Sequence, residues 1–121
     1  MENHFSKLTS DDSFAALVEK SNEHPVVIFK HSLTCPISAR AYKQMSEFEG
    51  EVELLEIQRN SELSREIASR TGVQHESPQV IVLRNGQVIW EASHFDVTTD
   101  AVAEAVRRAN GQSAVGGEQK S

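Results

Sequence analysis

The sequence predicts an α/β fold built on one mixed, four-stranded sheet with helices on both faces. Helical and strand-like apolar spacings alternate along the chain, and the run from Val26 to Phe29 is apolar without interruption. Such a run is typical of a strand buried on both faces, as strands between two helical layers are. The pair Asn85-Gly86 tolerates the positive φ angles of a tight turn, so it predicts a hairpin between the last two strands.

The first half of the chain is predicted to alternate helix, strand and helix. A first helix is capped by Thr9 or Ser10, because the apolar residues that follow have the spacing of one helix face. A buried strand over residues 26 to 29 comes next, and a second helix runs from Cys35 to a terminator at Gly50. The apolar residues that these helices are expected to bury are Phe14, Leu17, Val18, Ile37, Ala41, Met45 and Phe48.

The second half continues this alternation and then adds the hairpin. Residues 52 to 57 read as a strand, and residues 61 to 70 as a helix. The hairpin covers residues 79 to 91, and a last helix is capped by Thr98 or Thr99. The residues that these two helices are expected to bury are Leu63, Ile67, Val102, Ala105, Val106 and Ala109.

This order of elements corresponds to a thioredoxin-like three-layer sandwich. A strand, helix, strand unit crosses over right-handed and gives parallel strands, whereas the hairpin adds antiparallel ones. No internal repeat or linker divides the pattern, so residues 1 to 111 are predicted to form one domain. Residues 112 to 121, QSAVGGEQKS, are small and polar and predict a disordered tail.

Charge and composition restrict the class of function. Asp and Glu number 18 against 12 Lys and Arg, and the basic residues are scattered, which argues against a nucleic acid partner. The N-terminal segment MENHFSKLTSDDSF lacks the apolar run of a signal peptide, and no segment reaches the roughly 20 apolar residues that span a bilayer. We therefore expect a soluble, cytoplasmic monomer with no membrane partner.

The chain has a single cysteine, Cys35, at the predicted start of the second helix. Pro36 suits the first helical position, where a missing N–H costs nothing, so Cys35 takes the N-cap. Its sulfur is expected to face the free N–H groups of Ile37 and Ser38, which together with the helix dipole favour the thiolate. Three further side chains would add to this effect if they point inward: Lys30, His31 and Arg40.

A stabilised thiolate helps a cysteine more as a leaving group than as a nucleophile. The thiolate fraction rises as a thiol becomes more acidic, but intrinsic nucleophilicity falls with a Brønsted slope of about 0.4 to 0.5. A mixed disulfide on Cys35 is resolved fastest when Cys35 departs as a thiolate. Ser38 stands where a CxxC enzyme carries its resolving cysteine, and its hydroxyl is expected to donate to the thiolate. Resolution must then come from another molecule.

Two other interpretations of Cys35 stay open. A lone cysteine often packs as a small hydrophobe with no chemical role. His31 and Cys35 are also two candidate metal ligands, but two ligands at this spacing do not make a site without others to complete it. No metal is therefore predicted.

A proline near the hairpin supports the fold. Ser77-Pro78 immediately precedes the strand QVIVL, at the place where thioredoxin-like proteins hold a cis proline opposite the active-site cysteine. An X-Pro bond is cis in only about 5 to 6% of cases, so the expectation of a cis bond rests on agreement with Cys35, Ser38 and the hairpin. The Ser77 backbone would then be free to bind an extended substrate. The predicted substrate-binding residues are Thr34, Ser77 and Pro78.

Four segments carry a resemblance to one family: TCPIS at Thr34 to Ser38, VVIFKHS, ESPQVIVLRNG and VIWEASH. They resemble the monothiol bacilliredoxins, thioredoxin-like redox proteins of the bacillithiol system, over roughly residues 5 to 110. The resemblance implies an enzyme of bacteria that use bacillithiol in place of glutathione. Cys35 would take bacillithiol from a protein mixed disulfide, and a second bacillithiol would release it as bacillithiol disulfide. Bacillithiol is then a co-substrate, and no bound cofactor is implied.

Two functions of other classes stay open at this point. One is a non-catalytic redox sensor, in which thiolation or oxidation of Cys35 changes the activity of a partner. The other is an iron–sulfur carrier like the monothiol glutaredoxins, in which a cluster bridges two subunits. Pro36 counts against the carrier, because glycine is usual at that position of the carrier motif.

Overall fold

A five-stranded mixed sheet forms the centre of the computed structural model, which describes residues 4 to 9 and 11 to 111. The spatial order is β1-β3-β2-β4-β5, with β3 parallel to β1 and β2, and β4 antiparallel to β2 and β5. The strands are β1 (Phe5–Lys7), β2 (Val26–His31), β3 (Val52–Glu56), β4 (Gln79–Arg84) and β5 (Gln87–Ser93). The strand β2 that leads to Cys35 therefore lies in the middle of the sheet.

Helices cover both faces of this sheet and complete the predicted three layers. They are α1 (Phe14–Ser21), α2 (Pro36–Ser46), α3 (Ser61–Thr71) and α4 (Thr99–Asn110), and a 3-10 turn spans His94–Asp96. Helices α2 and α4 pack on one face with Val27 and Phe29, whereas α1 and α3 pack on the other with Val26 and Ile28. Successive side chains of a strand point to opposite faces, so β2 supplies apolar residues to both cores.

The sheet has one strand more than the four predicted. Strand β1 pairs in parallel with β3, with Phe5 beside Val52 and Lys7 beside Leu54. A three-residue edge strand with one apolar residue cannot show the alternation from which strands are predicted. The prediction of four strands is therefore wrong, although the mixed sheet with helices on both faces is confirmed.

The predicted N-cap of α1 is also wrong. Ser13 is the cap, because its hydroxyl accepts the N–H of Ala16 at 3.2 Å. Thr9 instead donates its N–H to Asp12 Oδ2 at 2.8 Å and forms a turn before the helix. Ser10 and the predicted tail, residues 112 to 121, lie outside the described residues. Both Thr9 and Ser13 have the hydroxyl that caps use, so sequence alone did not separate them.

The remaining boundaries agree closely with the predictions. Asn85 and Gly86 have φ angles of 55° and 78° and form the hairpin turn. Thr98 caps α4 by accepting from Ala101 N–H, and Gly72 ends α3 in the left-handed region. Helix α2 begins at Pro36 as predicted but ends at Ser46, before Gly50.

Candidate active site

Cys35 occupies the N-cap of α2, as the sequence predicted. Its backbone is extended, with φ −102° and ψ 124°, Pro36 follows at the start of the helix, and the Cys35 carbonyl accepts the N–H of Ala39 at 3.0 Å. The cysteine is free and half-buried. Its side chain makes no capping hydrogen bond with the N–H groups of Ile37 and Ser38, and stabilisation of the thiolate by these groups stays a prediction. The sulfur nevertheless sits at the positive end of the helix dipole.

Ser38 lies one turn after Cys35 and is fully buried. Its hydroxyl accepts the Ser32 N–H at 2.9 Å and shares a hydrogen bond of 2.8 Å with His31 Nδ1. The predicted hydrogen bond from Ser38 to the Cys35 sulfur is therefore wrong, because the hydroxyl is directed at the end of β2. What Ser38 does here is attach the first turn of α2 to that strand, which fixes Cys35 in the helix-start position.

His31 is buried between two aromatic rings on the α2 face of the sheet. Its ring centroid lies 5.0 Å from that of Tyr42 and 5.4 Å from that of Phe29. Burial lowers the pKa of His31 below its ordinary value, and the nearby Glu56 carboxylate offsets part of that effect. His31 therefore stays neutral near pH 7 and bonds Ser38, instead of lending positive charge to Cys35.

Gln58 holds the loop that precedes Cys35, a role that no sequence pattern had predicted. Its Oε1 accepts the Leu33 N–H at 3.0 Å, and its Nε2 donates to Ser32 Oγ at 2.9 Å and to Thr34 Oγ1 at 3.4 Å. Gln58 follows β3, which is parallel to β2, and the carboxyl ends of parallel neighbours lie at the same edge of a sheet. That rule could have predicted Gln58 as a neighbour of the loop.

Lys30 points away from α2 and cannot act on Cys35 in the predicted way. Its side chain is fully buried on the α3 face, where Nζ lies 3.2 Å from Nδ1 of His75. Burial lowers the pKa of Lys30 to about 8. His75 was missed as well: it lies outside any helix or strand, and no apolar pattern marks its place.

Arg40 is on the exposed side of α2. Its guanidinium carbon lies 5.4 Å from the ring centroid of Phe95, in cation–π geometry. Phe95 is 59% exposed and Leu33 is 45% exposed. Arg40 thus contacts an aromatic ring at the surface, so the condition under which it would stabilise the thiolate, an inward orientation, is not met.

The Ser77–Pro78 peptide bond is cis, as predicted. Lys30 pairs with Gln79 in the antiparallel register of β2 and β4, so Ser77 and Pro78 lie at the same edge of the sheet as the end of β2 and Cys35. The Pro78 carbonyl accepts the His94 N–H at 2.9 Å, which ties this segment to the 3-10 turn. Thr34 is exposed beside the cysteine. The predicted substrate-binding residues therefore share one edge with the thiol.

Residues 4 to 9 and 11 to 111 contain no group of three or more His, Cys, Asp or Glu side chains arranged to hold a metal ion. His31, one of the two ligands considered from the sequence, uses Nδ1 for Ser38. In the same two ranges, none of the helices combines the length and apolarity needed to cross a membrane.

Comparison with known proteins identifies the family. The sequence profile of the family "Monothiol bacilliredoxin BrxC" matches residues 6 to 102. The chain belongs to the monothiol bacilliredoxin family. The resemblance predicted from TCPIS and the three other segments is thereby confirmed, and the chain is a thiol redox protein.

Solved structures agree with the bacilliredoxin assignment at the level of fold. One, described as a candidate oxidoreductase with a thioredoxin fold, is 37% identical with a TM-score of 0.77, and the match covers 85% of this chain and 94% of that one. Spinach chloroplast thioredoxin f, short form, is 22% identical with a TM-score of 0.62, covering 87% and 92%. Thioredoxin from Trypanosoma brucei brucei is 17% identical with a TM-score of 0.65, covering 86% and 88%. The thioredoxin-like fold is therefore confirmed.

Proposed function

We propose that this bacilliredoxin is a thiol–disulfide oxidoreductase that removes bacillithiol from protein mixed disulfides through Cys35. The observation that carries the proposal is a lone, half-buried thiol at a helix N-terminus with a buried serine, Ser38, one turn later. The helix dipole favours the thiolate that such a reaction needs. The chain has one cysteine, so the adduct cannot be displaced from within.

The reaction consists of two exchanges whose atoms and electrons balance. In the first, the Cys35 thiolate attacks the bacillithiol sulfur of the protein mixed disulfide; a disulfide forms between Cys35 and bacillithiol, and the client protein leaves as a thiolate. In the second, the thiolate of another bacillithiol attacks the bacillithiol sulfur of this adduct, and Cys35 leaves as a thiolate. The products are the reduced client and bacillithiol disulfide, so one bacillithiol thiol is consumed and the other half of the disulfide comes from the original adduct.

Ser38 supports a monothiol route on structural grounds. A cysteine at this position could attack the Cys35 adduct and release bacillithiol by forming an internal disulfide, whereas a serine hydroxyl cannot. Ser38 keeps the polar contacts to Ser32 and His31 that hold the first turn of α2. The adduct on Cys35 therefore waits for an external thiol. As further parts of the proposal, the protein works as a cytoplasmic monomer and carries no bound cofactor.

The direct test is turnover of a model protein that carries one bacillithiol adduct. Purified protein and excess bacillithiol are mixed with this substrate, and mass spectrometry follows loss of the adduct and formation of bacillithiol disulfide. The wild-type protein is expected to clear many equivalents of substrate. The Cys35→Ser variant is expected to remove the adduct no faster than bacillithiol does without any enzyme.

A second variant tests whether turnover requires a thiol at the start of α2 or only a thiol anywhere on the protein. Ser46 is exposed at the last residue of the same helix, so Cys35→Ser combined with Ser46→Cys moves the thiol to the negative end of the dipole. This double variant is expected to form mixed disulfides slowly and to show no turnover. Equal turnover by the relocated thiol would contradict the proposal. If neither the wild-type protein nor Cys35→Ser clears the adduct, the redox sensor is the better interpretation.

A further inference from the structure

The proposed reaction makes no use of the polar cluster buried on the α3 face of the sheet. Lys30 is 0% exposed, and its Nζ lies 3.2 Å from His75 Nδ1. The Oγ of Ser64, on α3, lies 3.3 Å from the same nitrogen. His75 belongs to the segment 73–78 that joins α3 to β4 and ends in Ser77 and Pro78. The cluster therefore joins the central strand, a helix and the predicted substrate-binding segment.

A second anchor from the neighbouring strand holds the same segment. Gln79 is the cross-strand partner of Lys30, so the two side chains share one face of the sheet. Its Nε2 donates to the Gln74 carbonyl at 3.0 Å. Among the described residues, Gln79 Oε1 is buried with no hydrogen-bond partner, so this face keeps acceptor capacity beside the lysine. Lys30 and Gln79 thus bind the consecutive residues His75 and Gln74.

The energetics make a purely structural role for the amine unfavourable. Removing an ammonium group from water is strongly unfavourable unless it is well paired, and a neutral imidazole nitrogen is a weak partner. Ile28, Ile67 and Ile81 belong to the apolar cluster of the same face, and replacing a buried charge by an apolar side chain of similar volume is often neutral or stabilising. Within the described part of the chain, the amine hydrogen-bonds His75, which is an exposed residue.

We propose that Lys30 is a positioning residue that, through His75, fixes the segment 73–78 so that Ser77 meets the substrate while its disulfide lies on Cys35. This inference rests on the proposed function, because it assigns Lys30 to substrate docking in that reaction. Lys30 does not touch the reacting sulfur atoms. Its loss should therefore slow reaction with a protein substrate and leave the intrinsic reactivity of Cys35 unchanged.

Three variants test the contact from both sides. Lys30→Met removes the donor and keeps the length of the side chain, and His75→Ala removes the acceptor at an exposed position. His75→Asn is the rescue variant, because Oδ1 of asparagine takes about the same place as Nδ1 of histidine. In single-turnover transfer from a bacillithiolated protein to Cys35, we expect a loss of about tenfold for the first two variants, the size of effect that a small misplacement of docking groups produces. Alkylation of Cys35 by iodoacetamide should stay within about twofold of wild type, because the helix start is untouched.

Hydrogen exchange of the free protein separates this inference from the proposed function. Peptides that cover residues 73 to 79 should exchange faster in Lys30→Met and His75→Ala and at the wild-type rate in His75→Asn, whether or not any substrate is turned over. Wild-type exchange and wild-type transfer in both loss variants would overturn the inference. If Lys30→Met does not fold, the comparison of His75→Ala with His75→Asn decides. Absence of transfer by the wild-type protein would instead overturn the proposed function and leave the exchange test intact.

Discussion

His31 and Lys30 are neighbours in β2, yet they build two very different polar clusters on opposite faces of the sheet. On the α2 face, His31 and Ser32 bond the buried hydroxyl of Ser38 with contacts of 2.8 and 2.9 Å. On the α3 face, Lys30 makes one longer contact, 3.2 Å, to the exposed residue His75. The face beneath Cys35 is therefore held by short, fully buried hydrogen bonds, whereas the contacts of His75 on the opposite face are longer and can be altered by a change of protonation.

The two clusters also differ in the charged groups that shift the pKa values of their members. Burial lowers the pKa of both His31 and Lys30, but Glu56 offsets part of the effect at His31. At His75, burial lowers the pKa first, the Lys30 charge lowers it further, and Glu76 raises it. Neutral His31 can form its hydrogen bond with Ser38 in this buried position, where a charged ring would be disfavoured. Lys30 and His75 share a hydrogen bond, and burial disfavours the charged form of both side chains. We therefore expect the structure of this face to depend more strongly on pH than that of the α2 face.

The largest expected effect is alkaline stabilisation of the wild-type protein, which Lys30→Met should abolish. The pKa of Lys30 is about 8 in the fold against 10.5 for an ordinary lysine, so the unfolded chain binds more protons between these values. Stability therefore rises with pH across that window, by on the order of 3 kcal/mol. Below pH 8 lysine is protonated in both states, and this contribution to the slope vanishes.

Denaturant unfolding at several pH values from 7 to 10.5 measures this effect as a difference between wild type and Lys30→Met. Comparison with the variant removes the contributions of the other titrating groups, which both proteins share. Parallel curves for the two proteins would mean that the Lys30 amine has the same pKa in the folded and the unfolded chain, as a hydrated amine would. The proposed difference in pH sensitivity between the two faces of the sheet would then be wrong.

A smaller effect is expected from paired serine deletions, one on each face. Ser38→Ala leaves the buried Ser32 N–H without an acceptor, which should cost about 1 to 3 kcal/mol of unfolding free energy. Ser64→Ala removes a hydroxyl that shares His75 Nδ1 with Lys30, and it should cost less than about 1 kcal/mol because the lysine contact survives. Urea unfolding of the two variants at pH 7 makes the comparison. Equal costs would show that the two clusters are held equally tightly.

How far the sequence predicted this site depends on the kind of information each residue carries. The N-cap position of Cys35 followed from local chemistry, since Pro36 and the apolar period of α2 are written in neighbouring residues. Strand β1 carries too few residues to show a period and is placed by its pairing with β3. Local sequence patterns thus predicted the position of the thiol and the buried helices and strands. The edge strand β1 was not predictable from them, because it is defined by its pairing with β3.

The side-chain partners show the same limit more sharply. The spacing of Ser38 from Cys35 placed Ser38 in the first turn of α2, as the structure shows. The spacing does not tell which of several nearby groups the hydroxyl contacts, and its partners are His31 and Ser32 at the end of β2. The direction of Lys30 was open to prediction, because alternation along a strand sends it away from the face that His31 shares with α2. His75 was not, because a loop residue has no periodicity and its place depends on how α3 and β4 are joined.

The smallest expected effect concerns the titration of His31 and the influence of Glu56 on it. Because burial dominates, the ring should titrate below the ordinary value near 6.5, and the stability that neutral His31 provides should be present above 6.5 and fall as pH drops below it. Glu56→Gln removes the charge that raises this pKa, so the midpoint should move further down. Proton NMR of the His31 ring from pH 4 to 8 in both proteins measures the two midpoints. An upward move in the variant would mean that Glu56 acts on His31 mainly through the packing of β3, and the electrostatic difference between the two faces would have to be sought in Lys30 alone.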